Sequence, residues 1–189
     1  MFLNLSRNEL SRMLPSSFAV MHKMREFSIS SNKHTSHFPG ALFTKWSQIT
    51  SFQLQNNSLT SRIPPEVGMA KKLKILYLFS NNTRFLSPQL GELARLRELD
   101  LSTNSLMESI RSSLGHLKQL TVLLLYSNGL SGTMPTEMGN MRALQILNVG
   151  TNGQEGELPT SIARLKNLRY HVLLSNNLNG TIPSDLGKG

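Results

Sequence analysis

Hydrophobic and polar positions repeat along this chain with a period near 24 residues. Counting from Leu123, aliphatic side chains fall at zero and at plus two (Leu125), an asparagine at plus five (Asn128) and a leucine at plus seven (Leu130). A glycine follows at plus nine (Gly132) and a proline at plus twelve (Pro135). The same frame fits with its zero at Leu3, Phe27, Phe52, Leu76, Leu99, Leu123, Leu147 and His171, at intervals of 24, 25, 24, 23, 24, 24 and 24 residues. Side chains two apart on a strand point the same way. Each repeat therefore predicts one short strand that buries its zero and plus-two residues, the latter being Leu5, Ile29, Leu54, Leu78, Leu101, Leu125, Val149 and Leu173. Further apolar residues three, six and nine before zero (Leu120, Leu117 and Leu114 before Leu123) suit a helical or 3₁₀ return path. The expected fold is an α/β-type repeat solenoid, with a parallel concave sheet, 3₁₀ or irregular convex returns and few regular helices. It covers 1–189 as a single unit of about eight coils, uncapped at both ends. Open ends predict end-to-end self-association of copies.

The asparagine recurs in all eight coils, as Asn8, Asn32, Asn57, Asn81, Asn104, Asn128, Asn152 and Asn176. After each strand the chain must turn inward, and the turn buries backbone donors and acceptors that no sheet satisfies. An amide side chain both donates and accepts, so stacked asparagines bridge those groups from coil to coil as a structural spine.

Departures from the frame are local. The glycine slot holds Arg12, Ser36, Ser61, Arg84 and Glu108 in the first five coils. Coil four is one residue short. Anchored on Gly91, the missing residue reads as the plus-seven one, with Arg84 in the glycine slot and Ser87 in the proline slot. His171 is the polar exception among the zero positions, and Trp46, six before Phe52, takes a core position.

Composition narrows the function. Absence of cysteine excludes disulfides and thiolate metal sites. His22, His34 and His37 lack carboxylates or thiols at ligand spacing, so they read as ordinary surface histidines and no metal or cofactor is expected. A formal charge of +9 invites a nucleic-acid reading. Read along the chain, however, the basic residues are scattered singly, with Lys71, Lys72 and Lys74 the densest group, and no RNA signature accompanies them. Nucleic acid is not the expected partner. No apolar run is long enough to cross a bilayer, and MFLNLSRNEL lacks the basic start and apolar core of a signal peptide. No membrane insertion by this chain is expected.

The stretches LTVLLLYSNGLSGTMPTEMG and LRYHVLLSNNLNGTIPSDLG resemble the plant-specific class of leucine-rich repeat, and the resemblance runs over essentially the whole chain. It is most similar to part of the ectodomain of a plant leucine-rich-repeat receptor-like kinase. That resemblance implies a glycosylated cell-surface module whose partners are peptides, small hormones or co-receptor ectodomains. The chain carries no G-x-G-x-x-G-x-V, V-A-I-K, H-R-D or D-F-G motif, so kinase activity is not expected from these residues. Sequons stand at Asn4, Asn56, Asn81 and Asn179, the third coinciding with the spine. Glycine replacement in five of eight coils also fits a truncated or decaying gene product with no selected function.

Outward positions beside the strand leucines carry the partner-binding expectation. Coils one to three offer a small polar surface of Asn4, Ser6, Ser28, Ser30, Gln53 and Gln55. From coil four onward the character changes, with Tyr77, Phe79, Leu124, Tyr126, Ile146, Tyr170, Val172 and Leu174. Exposed aromatic and aliphatic side chains on a rigid sheet are common anchors of recognition surfaces. Glu98 and Asp100 lie between the aromatic coils, placed to hold a basic group of a peptide. No outward histidine or cysteine accompanies these acids, so no catalytic set is expected.

Overall fold

The computed structural model describes residues 1–36, 38–60 and 62–187. His37, and Ser61 in the glycine slot of coil three, lie outside the described residues. Of the other two histidines read as surface residues, His22 is exposed, but His34 is buried because it fills the plus-seven core slot of coil two. Eight strands, Phe2–Asn4, Glu26–Ser28, Ser51–Gln53, Ile75–Tyr77, Glu98–Asp100, Val122–Leu124, Ile146–Asn148 and Tyr170–Val172, form one sheet in sequence order. Every pairing is parallel and sets zero against zero, from Leu3 with Phe27 to Leu147 with His171. The period read in the sequence is therefore also the hydrogen-bonding register.

Convex returns are short 3₁₀ helices in six coils and a single α-helix, Ala41–Lys45, among the described residues. The residue before each 3₁₀ helix sits at plus twelve, or at plus eleven in the shortened coil four, and Pro15, Pro64, Pro135 and Pro159 fill four of the six positions. Proline presets a φ near −65°. Ser87 and Arg111 hold the same extended conformation without a ring, at φ −78° and −73°. The α-helix occupies the one 25-residue interval. There the Trp46 N–H reaches back four residues to the Leu42 carbonyl at 2.8 Å, whereas Met21 reaches back three to Phe18 at 3.0 Å. The added residue closes an α turn.

Between sheet and returns runs one continuous core of strand, return and turn side chains. In coils two and three it is aromatic: Phe27 stacks on Phe52 at 5.7 Å between ring centres, and Trp46 lies 5.1 Å from Phe27. From Leu76 onward it is almost wholly aliphatic and methionine. Of the sequons, Asn81 is buried in the spine, while Asn4, Asn56 and Asn179 are exposed.

Two features go beyond the sequence reading. Segments after the asparagine form two more parallel sheets on one flank, Ser11–Arg12, Lys33–Ser36 and Ser58–Leu59, then Ser131–Thr133, Gly153–Glu157 and Asn177–Asn179. The second feature corrects the placement of the gap in coil four. Thr83 occupies plus seven: it is fully buried, and its N–H donates to Asn104 Oδ1 at 3.0 Å, as Leu106 does to Asn128. Arg84 then accepts from Met107 as Glu108 does from Ser131, so the missing residue is the one at plus eight.

In five coils the glycine slot holds a left-handed backbone, whereas Arg84, in the coil that is one residue short, does not. Gly132, Gly156 and Gly180 have φ of 72°, 74° and 75°, and Arg12 and Glu108 are forced to 68° and 69°. A side chain there costs roughly 1–2 kcal/mol, offset in part by glycine's larger loss of backbone entropy. Glu108→Gly is expected to stabilise the chain by about 0.5–1 kcal/mol, since the exposed Glu108–Arg111 ion pair contributes little. A melting temperature that falls would contradict this account of the slot.

Candidate recognition surface

The outward face is held in place by the asparagine ladder beneath its C-terminal edge. Asn128 Nδ2 donates to the carbonyls of Leu125 and Tyr126 in its own coil and of Leu101 in the preceding one, at 3.0, 3.3 and 3.1 Å. Its Oδ1 accepts the Leu106 N–H at 3.0 Å. Asn32, Asn57, Asn81, Asn104, Asn152 and Asn176 repeat this set, each tied to the coil before it. Asn8 bonds within its own coil, to Leu5 and Ser6. Each strand end is thus fixed to its neighbour, and the side chains it presents stand on a rigid base.

Register sorts the outward side chains into rows across the sheet. One row runs Ile75, Glu98, Val122, Ile146 and Tyr170; the next runs Gln53, Tyr77, Asp100, Leu124, Asn148 and Val172. Phe79, Tyr126 and Leu174 follow at plus three, with Ser102 between Phe79 and Tyr126. Tyr77 and Phe79 lie 6.3 Å apart, and most of this set is half-buried. At the C-terminal end Tyr170 and Leu174 are 65% and 60% exposed, so large apolar surface there is open to a partner.

The two acids sit in different environments. Glu98 accepts a hydrogen bond from the Tyr77 hydroxyl. Burial, then that hydrogen bond and the charge of Glu98, hold the phenol well above its ordinary pKa, so Tyr77 stays a donor. Asp100 is only 9% exposed, although its row faces outward. Its Oδ1 accepts from the Ser102 N–H at 3.0 Å and the Ser102 hydroxyl at 2.6 Å. Burial raises its pKa, and the bonds from Ser102 oppose the rise. Both carboxylates are therefore already hydrogen-bonded within the sheet.

The polar half contains an arrangement that sequence spacing did not reveal. Ser6 and Ser30 hydroxyls lie 2.8 Å apart and Ser6 and Ser28 2.7 Å apart, a bonded cluster across coils one and two. Their contacts were hidden because they link residues 22 and 24 apart. Among the described residues no group of three or more His, Asp or Glu side chains is placed to hold a metal ion. No helix among them is long and apolar enough to cross a membrane.

His171 occupies the zero slot of coil eight, and its buried Nε2 has no hydrogen-bond partner. Burial lowers its pKa below the ordinary 6.5. A lowered folded pKa means protonation opposes folding, so its contribution is intact above about pH 6.5 and is lost as pH falls toward the folded value. His171→Leu is expected to stabilise coil eight and to remove this acid-side loss. Hydrogen exchange of amides 169–174 at pH 7 and pH 5 checks it; lower protection in the variant would contradict the assignment.

The leucine-rich-repeat family model matches residues 1–21, 95–117 and 119–141. No curated protein matches the sequence. Among solved structures, the Arabidopsis receptor kinase HAESA, in complex with the peptide hormone IDA and the co-receptor SERK1, is 31% identical. The match covers 98% of this chain and 35% of that one, with a TM-score of 0.82. The plant peptide hormone receptor RGFR1, in complex with RGF2, is 26% identical over 95% of this chain and 33% of its own, with a TM-score of 0.83. A leucine-rich-repeat protein of Leptospira interrogans is 30% identical over 98% of this chain and 45% of its own, with a TM-score of 0.87. The chain spans about a third of the length of the two plant receptors. It is a leucine-rich-repeat solenoid that resembles the ectodomains of plant receptor kinases.

Proposed function

We propose that the chain is a non-catalytic interaction module whose concave face, from coil four to coil eight, binds an extended peptide or a segment of a co-receptor ectodomain. The observation that carries this reading is the pairing register, which gathers Tyr77, Leu124 and Val172 into one row. Flanking them are Phe79 and Tyr126 on one side and Ile146 and Tyr170 on the other. Apolar side chains on a surface cost solubility unless a partner covers them. A peptide laid across the strands would meet these anchors in turn, with the half-buried Glu98 offering its remaining acceptor positions to a basic residue, while Asp100 is buried and serves to fix Ser102. By likeness to receptor ectodomains we assign the module to the cell surface, with peptides, small hormones and co-receptor ectodomains as its partner classes.

A second reading, a decaying copy under no selection, draws on Arg12 and Glu108 strained in glycine slots. The concave-face reading has a direct test. Peptides selected from a displayed random library on the intact chain should lose binding by at least tenfold, about 1.4 kcal/mol, to Tyr77→Ala with Tyr126→Ala, at an unchanged melting temperature. Undiminished binding by the double variant would remove the concave face from the account.

A further inference from the structure

Lysine and arginine look scattered along the sequence, but the fold collects them on one edge. Consider the positions two, four and five residues before each strand zero in coils two to eight, where the chain leaves the convex return and enters the sheet. These 21 positions hold 11 of the chain's 20 Lys and Arg and none of its 11 Asp and Glu. The minus-two row contains Arg25, Lys74, Arg97 and Arg169. Its backbones are bonded coil to coil: Thr50 N–H to Arg25 O at 2.7 Å, Lys74 to Thr50 at 2.8 Å, Arg97 to Lys74 at 2.9 Å, and so on to Arg169. The other two rows run beside it, joined across coils by contacts such as Asn167 Nδ2 to the Arg142 carbonyl at 2.7 Å. Ten of the eleven cations are exposed and the other, Lys72, is half-buried. Glu92, just outside the rows, pairs with Lys71 at 2.8 Å.

The result is a ladder of positive charge along one edge of the solenoid, with cations in every coil from two to eight except coil three, whose positions hold Ser47, Gln48 and Thr50; neighbouring coils are about 4.8 Å apart. Charges this close lie within one screening length and repel one another, so the edge is relieved by an opposing chain of anions. We propose that this edge binds a linear acidic polysaccharide, a polymer whose carboxylates recur along an extended backbone. Three observations favour that class. From coil four to coil eight every coil supplies at least one cation, at a step near the strand spacing of about 4.8 Å, which fits a polymer of regular repeat. Arginine forks in the rows match planar carboxylates in bidentate fashion. No Phe, Tyr or Trp stands in the 21 positions, so the base-stacking platform of single-strand nucleic-acid binders is missing.

The test uses the intact chain and an immobilised, biotinylated oligogalacturonate. Binding is expected to weaken steeply as salt rises, through counterion release. Lys74→Gln, Arg95→Gln, Arg97→Gln and Arg142→Gln combined should lower affinity by at least about tenfold and flatten the salt slope. Tyr77→Ala with Tyr126→Ala should bind the oligomer normally, which separates this edge from the concave face. The proposal is overturned if the quadruple variant binds as well as the parent. It is equally overturned if the fully methyl-esterified oligomer binds equally, or if an oligothymidylate of the same charge binds more tightly at the same salt.

Discussion

Asn128→Ala is expected to destabilise the solenoid by roughly 2–4 kcal/mol, among the largest effects of any surface-distant polar substitution in the chain. The change removes three donated hydrogen bonds and leaves the Leu106 N–H without its acceptor. Each buried group left unpaired costs about 1–3 kcal/mol, and the carbonyls keep other donors, Asn104 for Leu101, Asn152 for Leu125 and the Thr103 N–H for Tyr126, which sets the range. Aspartate would not rescue it, because a carboxylate cannot donate to the carbonyls of Leu101 and Leu125. The loss should be greatest between coils five and six, where the bonds cross. Urea unfolding with hydrogen exchange checks both size and place. A loss below about 1 kcal/mol would mean that water replaces the side chain and that the ladder is not structural.

Trp46→Ala should cost more, about 3–5 kcal/mol for the lost side chain. Trp46 is fully buried against Phe27 and Phe52, and its Nε1–H donates to the Phe18 carbonyl at 3.0 Å. Removing it empties the centre of the aromatic core and takes one of two donors from that carbonyl, which keeps the Met21 N–H. Trp46→Phe keeps most of the volume and loses the bond, so the difference between the two variants isolates packing from hydrogen bonding. Should the two variants prove equally destabilised, the hydrogen bond and not the ring would dominate.

The strands and the spine were legible in the sequence because their signals repeat: an apolar pair and an asparagine in every coil. Coil four was misread by one position, since Thr83 is polar where the frame holds leucine, and only its bond to Asn104 reveals the slot. Flank sheets such as Ser11–Arg12 with Lys33–Ser36 escaped notice because their pairing is carried by backbone, with no alternation of side chains to betray it. The outward rows were legible from period two, but the depth of Asp100 was not, because it depends on neighbours one coil away. The basic edge was missed for the same reason. Arg25, Lys74 and Arg97 are far apart in the chain and become neighbours only through the turn of the coil.

The central claim is that the concave side chains of coils four to eight form the recognition surface. Hydroxyl-radical footprinting of the intact chain, with and without a saturating library-selected peptide, tests it most directly. Tyr77, Tyr126 and Tyr170 are expected to be protected, while Met69 and Met107, exposed away from the sheet at 55% and 50%, keep their labelling. Protection of Met69 and Met107 with the three tyrosines unchanged would contradict it.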